Sequence, residues 1–164
     1  MVKLLSIGIC ILFVCGCQLS QNYKLKHEKE EKLLNKIRGE LGLHLAKKHN
    51  MQIVGFSAAM PEGIIESMGV HFHIYRILTQ QEIRNILVDC VQEFLSEVNS
   101  DEGIRPYLKN YPFSSKNISI VIGVYEHRGK SACDPNIESA FTVGDKLWYG
   151  TKDRSQKYGY KSEY

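Results

Sequence analysis

Two cysteines separated by one glycine stand near the N-terminus, in the stretch FVCGC at residues 13–17. A cysteine thiolate is a nucleophile and a metal ligand, and neighbouring thiols can also be oxidised to a disulfide. The chemistry open to Cys15 and Cys17 therefore depends on their surroundings. The run before them, residues 4–14, contains no charged residue and a single hydroxyl group. An apolar run of this kind favours processing of the chain over metal binding.

The N-terminal segment has the parts of a secretory signal. Lys3 supplies a basic start, residues 4–14 form an apolar run of the usual length, and the small residue Gly16 marks the exit. A membrane-spanning helix needs about 20 consecutive apolar residues, and even residues 4–19 fall short of that. A cleaved signal is therefore favoured over a signal-anchor helix.

The stretch VCGC at residues 14–17 resembles a bacterial lipobox, in which an aliphatic and then a small residue precede a cysteine that is modified. Val14, Gly16 and Cys17 match that pattern, whereas Cys15 is less usual at its position. The resemblance implies that the Cys17 sulfur takes a diacylglyceryl group, that residues 1–16 are cut off after Gly16, and that the new amine takes an acyl chain such as palmitate. The alternative is a plain cleaved signal with uninvolved cysteines.

The lipobox also implies a location. Because Gln18 rather than Asp follows Cys17, the sorting rule of lipoproteins favours the outer membrane, with the chain facing the periplasm and residues 17–24 acting as a lipidated tether. Several acyl chains anchor a protein more durably than one, at about 0.8 kcal/mol per buried CH₂. Loss of Lys3 with the signal leaves 20 basic residues against 18 acidic ones. That balance is too even to predict nucleic-acid binding.

Two histidines two residues apart form the second group with chemical potential. In residues 68–76, MGVHFHIYR, apolar and polar side chains alternate as in a half-buried strand. One face then carries three polar aromatic residues, and a strand near residues 118–127 would add two more if it were an antiparallel neighbour or near-neighbour. These five are His71, His73, Tyr75, Tyr125 and His127. Two imidazoles at i and i+2 could bind one metal ion, but spacing fixes no third ligand, so we expect a ligand or partner surface without a metal or cofactor.

Two further cysteines lie outside the N-terminal segment. Cys90 falls on the apolar face of a predicted helix, and Cys133 lies in a polar loop. In an oxidising periplasm they could pair, or Cys90 could remain a buried free thiol. The chain contains no C-x-x-C pair downstream, no G-x-S-x-G, no H-E-x-x-H and no phosphate-binding loop. We therefore predict that the protein is not an enzyme, with a metal-dependent or hydrolytic periplasmic enzyme using the His71/His73 face as the alternative.

The secondary-structure elements that must position these residues follow from the hydrophobic periodicity and from the turn and capping residues. Thr79 and Glu82 form a capping box, Pro61-Glu62-Gly63 is a turn, and Gly144-Asp145 suits a hairpin. The predicted elements are a helix over 25–50, strands over 51–60 and 64–76, a helix over 80–99, and strands over 118–125, 137–143 and 146–151. This order, α-β-β-α-β-β-β, predicts one α+β domain over residues 25–152, with a mainly antiparallel sheet of about five strands and one or two packed helices. A flexible polar tail is expected over 153–164.

The connector after the second helix, IRPYLKNYPFSSKNISI, contains two prolines and is expected to pack against the domain. Its residues resemble those of uncharacterised small lipoproteins of intracellular bacteria such as the chlamydia-like groups. The resemblance covers residues 51–126 and implies no function. Together with the lipobox, it leads us to expect a lipid-anchored envelope protein whose domain is a non-enzymatic binding or assembly module for another envelope protein. The sequence predicts neither that partner nor the oligomeric state.

Overall fold

The structure, a computed structural model, describes residues 27–153 and the backbone of residues 160–163. Within these residues, two α-helices pack on one face of a single sheet. The elements are α1 (Glu28–His49), β1 (Gln52–Ala59), β2 (Ser67–Ile74), α2 (Gln80–Ser100), β3 (Ile118–His127), β4 (Lys130–Ser131), β5 (Ser139–Val143), β6 (Lys146–Lys152) and β7 (Tyr160–Glu163). The predicted α+β class and element order are confirmed.

The start of α2 follows from two side chains. Glu82 N–H donates to Oγ1 of Thr79 over 3.2 Å, and Thr79 N–H donates to Oε2 of Glu82 over 2.8 Å. These bonds satisfy backbone donors that have no partner within the helix. They also hold the pKa of Glu82 below its ordinary value. The capping box predicted from the sequence is therefore confirmed.

The sheet has the order β1-β2-β3-β5-β6-β7, and the two-residue strand β4 pairs with β3. Five of these six pairings are antiparallel, as predicted, but β2 and β3 are parallel. A parallel pair needs a long crossover connection, usually a helix. The segment between β2 and β3 contains α2, which supplies that crossover.

The core lies between the helices and one face of the sheet. Every second residue of β2 and β3 is buried on this face, namely Met68, Val70, Phe72, Ile74, Ile118, Ile120, Ile122 and Val124. From α2, Phe94 is fully buried against them, and from α1, Leu45 is as well. The alternation of apolar side chains along each strand therefore builds one closed apolar layer.

Charged side chains join the two helices at the rim of this core. Lys48 of α1 places Nζ 2.7 Å from a carboxylate oxygen of Asp89 and 2.5 Å from one of Glu93, both on α2. Nε2 of His49 lies 2.7 Å from the same Asp89 oxygen. The hydrogen bond from Lys48 lowers the pKa of Asp89. Because these side chains are partly exposed, the pairs fix how the helices meet more than they add to stability.

The connector between α2 and β3 packs against the domain, as expected. Ile104, Leu108 and Phe113 are buried. The Asn99 amide of α2 donates to the Phe113 carbonyl over 3.1 Å, and the Phe113 N–H donates back to Asn99 over 2.7 Å. A bridge between Ile65 and Leu108 ties the connector to the start of β2. The connector is thus held at two points along its length, Leu108 and Phe113.

The structure can be compared with the prediction at the C-terminal end of the domain, but not over residues 1–24. Tyr160–Glu163 pair with β6, so this part of the predicted flexible tail over 153–164 is a strand, and the domain extends beyond residue 152. The pairing uses the outer side of β6, which the β5–β6 hairpin leaves open. The predicted signal peptide (1–16) and tether (17–24), with Gly16 and Cys17, lie outside the described residues. Neither α1 nor α2 is long and apolar enough to cross a membrane.

Candidate functional site

The sheet face opposite the helices carries the residues singled out from the sequence. In β2 and β3 the side chains on this face alternate with the buried ones. His71, His73, Val121 and Tyr125 are half-buried, and His127 at the end of β3 is exposed. Within residues 27–153 and 160–163, both α-helices pack on the other face of the sheet. We call the face that carries the predicted residues the open face. A sheet with one apolar, covered face and one polar, uncovered face is typical of antiparallel architectures.

Three rings meet on the open face at one end of β2 and β3. The ring centroids of His73 and Tyr125 are 4.5 Å apart, those of Tyr75 and Tyr125 are 5.6 Å apart, and those of His73 and Tyr75 are 6.2 Å apart. These separations lie in the range favoured by aromatic pairs. We call His73, Tyr75 and Tyr125 the aromatic cluster.

Gly123 is what lets the rings approach each other. It pairs with His73 across the β2–β3 ladder. A Cβ placed on Gly123 would lie 3.1 Å from Cδ2 of His73 and 3.2 Å from Cε2 of Tyr125. Because both distances are shorter than an ordinary van der Waals contact, a side chain at Gly123 would require the rings to shift by a few tenths of an ångström.

Polar contacts fix the orientation of the cluster. The Tyr125 hydroxyl lies 3.3 Å from Nε2 of His73, and the Tyr75 hydroxyl donates to Oε1 of Gln52 over 3.1 Å. Burial lowers the pKa of His73, so its ring is neutral at neutral pH and can accept a hydrogen bond from the Tyr125 hydroxyl. The guanidinium of Arg128 lies 6.0 Å from the centre of the Tyr75 ring, at the limit of a cation–π contact.

The five predicted surface residues have different places. His73, Tyr75 and Tyr125 come together, but through a parallel neighbour, so the expected antiparallel pairing that was to unite them is wrong. His71 lies on the same face one step along β2, opposite Gly55 of β1. His127 is exposed beyond an irregularity in the β3–β4 pairing, and its Nδ1 lies 3.0 Å from the carbonyl of Arg128.

Two contributors to the cluster were not predicted. Gly123 was recognised only as part of a strand, because its role depends on which residue of β2 lies beside it. Arg128 stands in a polar loop and carries no local signal. Farther along the open face lies a row of larger side chains. Val121 of β3 pairs with Phe141 of β5, which in turn pairs with Trp148 of β6. Strand alternation indicates their face, but not their neighbours.

The histidines do not complete a metal centre in the described part of the chain. His71 and His73 offer two ring nitrogens on one face. Across residues 27–153, no group of three or more His, Cys, Asp and Glu side chains is arranged to hold a metal ion. A stable zinc site in a protein uses three or four such ligands.

The two remaining cysteines are free thiols, so the pairing that the sequence allowed is not formed in the structure. Cys90 is fully buried on α2, where burial raises the pKa of its thiol to about 12. A thiol with so high a pKa is a poor nucleophile. Cys133 is buried in the loop before β5. The structure thus agrees with the alternative for Cys90, a buried free thiol that packs as a small apolar core residue.

A cavity of about 430 Å³ lies elsewhere, at the start of α2. Its polar lining includes Thr79, Glu82, Asp134 and Asn136. Thr79 and Glu82 are already bonded to each other in the capping box. None of the residues that line the cavity belongs to the aromatic cluster. The concave site and the aromatic surface are therefore separate features.

Comparison with protein families, curated proteins and solved structures finds no match to this chain. The candidate site therefore rests on its own geometry. It is a shallow, largely uncharged surface of three rings, with two hydroxyls and one neutral imidazole for hydrogen bonds and a basic side chain at its border. Such a surface suits association with apolar and aromatic groups of a partner.

Proposed function

We propose that the protein is a membrane-anchored lipoprotein of a bacterial cell envelope, held by acylated Cys17. In this proposal its domain is a non-enzymatic binding or assembly module that binds another envelope protein through the aromatic cluster. The observation that carries the binding role is the contact among His73, Tyr75 and Tyr125, half-buried on a sheet face that no described helix covers.

The composition of the cluster supports a protein partner. Aromatic residues and arginine are enriched at the centres of protein interfaces, while most charged residues are depleted there. Tyrosine offers a large contact area at a low cost in conformational entropy. Because the lowered pKa of His73 leaves its ring neutral, covering the cluster would not require a charge to be desolvated.

The spacing between anchor and domain supports tethering. Helix α1 begins at Glu28, and the ten residues between Cys17 and Glu28 span at most about 40 Å when fully extended. A short tether keeps the domain close to the bilayer surface. It thereby raises the effective concentration of the cluster near other membrane-bound proteins.

The anchor predicts a clear result in metabolic labelling. Full-length protein expressed in bacteria with radioactive palmitate should become labelled, and Cys17→Ala should abolish the label, because the acceptor sulfur and the amine of the new first residue are both lost. Cys15→Ala is the matched control and should keep the label. Equal labelling of the Cys17→Ala variant would exclude the anchor at this residue.

The partner surface predicts where crosslinks form in cells. A photo-reactive phenylalanine analogue in place of Tyr75 should give a discrete adduct of higher mass. The same analogue at Tyr111 should not, although Tyr111 is more exposed than Tyr75 and lies beside an arginine, with the Arg105 guanidinium 4.5 Å from its ring. An adduct from Tyr111 alone would move the surface to the connector and contradict the role of the aromatic cluster.

A further inference from the structure

Strand β1 stands at one end of the sheet, and no described strand pairs with its outer side. Its eight residues, QIVGFSAA, include no charge and no proline. The strand at the opposite end, β7, has four residues, YKSE, of which two are charged. Proteins commonly protect edge strands with charges, proline or short length. The β7 edge carries this protection, whereas β1 is long and uncharged.

Exposed apolar side chains collect along the β1 edge. Val54 and Phe56 on β1 are 46% and 43% exposed, and Leu43 on α1 is 67% exposed. Leu43 follows Gly42, whose Cβ position lies 3.4 Å from the Phe56 ring. The edge therefore combines open backbone groups with an apolar margin, which is the composition of an interaction surface.

We propose that β1 pairs with β1 of a second copy of this chain, antiparallel, about a two-fold axis at Phe56. The Ala59 carbonyl accepts from the Glu66 N–H over 2.8 Å and so points inward to β2. Because backbone groups alternate in direction along an antiparallel strand, those of Ala58 and Phe56 point outward. In this register Phe56 opposes its own copy.

The faces of the two sheets match in that register. Gly55 would lie opposite Ser57 of the other copy. Both residues belong to the open face, since they pair with His71 and Gly69 on β2. A register shifted by one residue would instead put open-face residues opposite helix-face residues. The bulge at Val54 leaves Gly55–Ala59 as the regular part of the strand. With the axis at Phe56, only residues 55–57 pair within that part, so the pairing is short.

Charge favours a second copy as the occupant. Exposed Lys47 lies just before β1, and exposed Glu62 lies just after it. Antiparallel pairing of two copies brings the basic end of each strand to the acidic end of the other. Strand β1 itself contributes no charge between these ends, and the Arg38 guanidinium of α1 lies 5.4 Å from the centre of the Phe56 ring. An isologous contact of this kind closes as a dimer. The dimer does not use the aromatic cluster, so the inference stands apart from the proposed function.

The first test is site-directed disulfide formation in purified, detergent-solubilised full-length protein treated with a mild oxidant. The Cα atoms of a hydrogen-bonded antiparallel pair are about 5.5 Å apart, within the range of a disulfide. Phe56→Cys should therefore give a covalent dimer well above the wild-type background. Val143→Cys, at a more exposed position on β5, should stay at that background. Equal yields from the two variants, or an adduct with a protein of another mass, would overturn the proposal.

A second variant tests the dimer without introducing a thiol. Ala58 is exposed on β1, and a lysine there needs no space in the core but places two like charges in the paired edge. Ala58→Lys should convert the dimer to monomer in sedimentation equilibrium, while Val143→Lys should remain dimeric. A wild-type protein that is monomeric over the same concentrations would refute the dimer whatever the variants do.

Discussion

Replacing Gly69 with alanine is expected to lower the free energy of unfolding by about 1–3 kcal/mol or more, the range for adding atoms to a packed site. A Cβ on Gly69 would lie 2.0 Å from the carbonyl oxygen of Ser119 and 2.8 Å from Oγ of Ser57. The Ser119 oxygen belongs to the backbone of β3, directly opposite Gly69 in the parallel ladder. It cannot rotate away as the end of a side chain could. The two central strands would have to separate locally to admit the methyl group.

The matched control is Gly55→Ala on β1, where the nearest atom to a new Cβ is 3.8 Å away. There the substitution meets ordinary van der Waals space, and the lower entropy of alanine in the unfolded chain favours a small gain in stability. Urea unfolding of the two full-length variants, compared with wild type, measures the difference. Equal midpoints for the two variants would show that β2 and β3 do not approach as closely as the structure has them.

Much of the fold could be predicted because its local signals agree. The capping residues Thr79 and Glu82 begin α2 where expected, and the turn at Gly144-Asp145 joins a hairpin. Alternation along residues 68–76 assigns each side chain to its face. All of these signals act between residues that are close in sequence. They can therefore be recognised from the sequence alone, without knowing which residues are neighbours in the folded protein.

The features that could not be predicted depend on which strands lie side by side. Alternation is the same for a parallel and an antiparallel neighbour, so it could not show that β3 runs parallel to β2. The strand Tyr160–Glu163 has no alternating pattern of its own and forms by pairing with β6. In both cases long-range pairing, rather than local preference, decides the structure.

The candidate site likewise has one part that could be predicted from the sequence and one part that could not. His73 and Tyr75 could be assigned to one face from their spacing. The approach of Tyr125 depends on the parallel register, and the space for its ring depends on Gly123 lying opposite His73. Arg128 reaches Tyr75 from a loop after β3. The sequence thus indicates the strand that carries the site, while the sheet determines the composition of the aromatic cluster.

The second large effect is expected from Phe72→Ala, which should lower the free energy of unfolding by about 3–5 kcal/mol, the usual cost of removing a buried phenylalanine ring. Phe72 is 1% exposed in the core, between His71 and His73 on the same strand. Its neighbour His73 points to the open face and is half-buried. His73→Ala should therefore cost about 1 kcal/mol or less, as for a side chain outside the core.

These two adjacent residues separate stability from binding. Thermal unfolding should show a large fall in Tm for Phe72→Ala and a small one for His73→Ala. The crosslink from position 75 should nevertheless be lost in the His73→Ala background, because the cluster loses the ring that contacts both tyrosines. A cost for His73→Ala as large as that for Phe72→Ala would mean that the open face is packed in the folded protein. The aromatic cluster would then be part of a second core, and the partner would have to bind elsewhere.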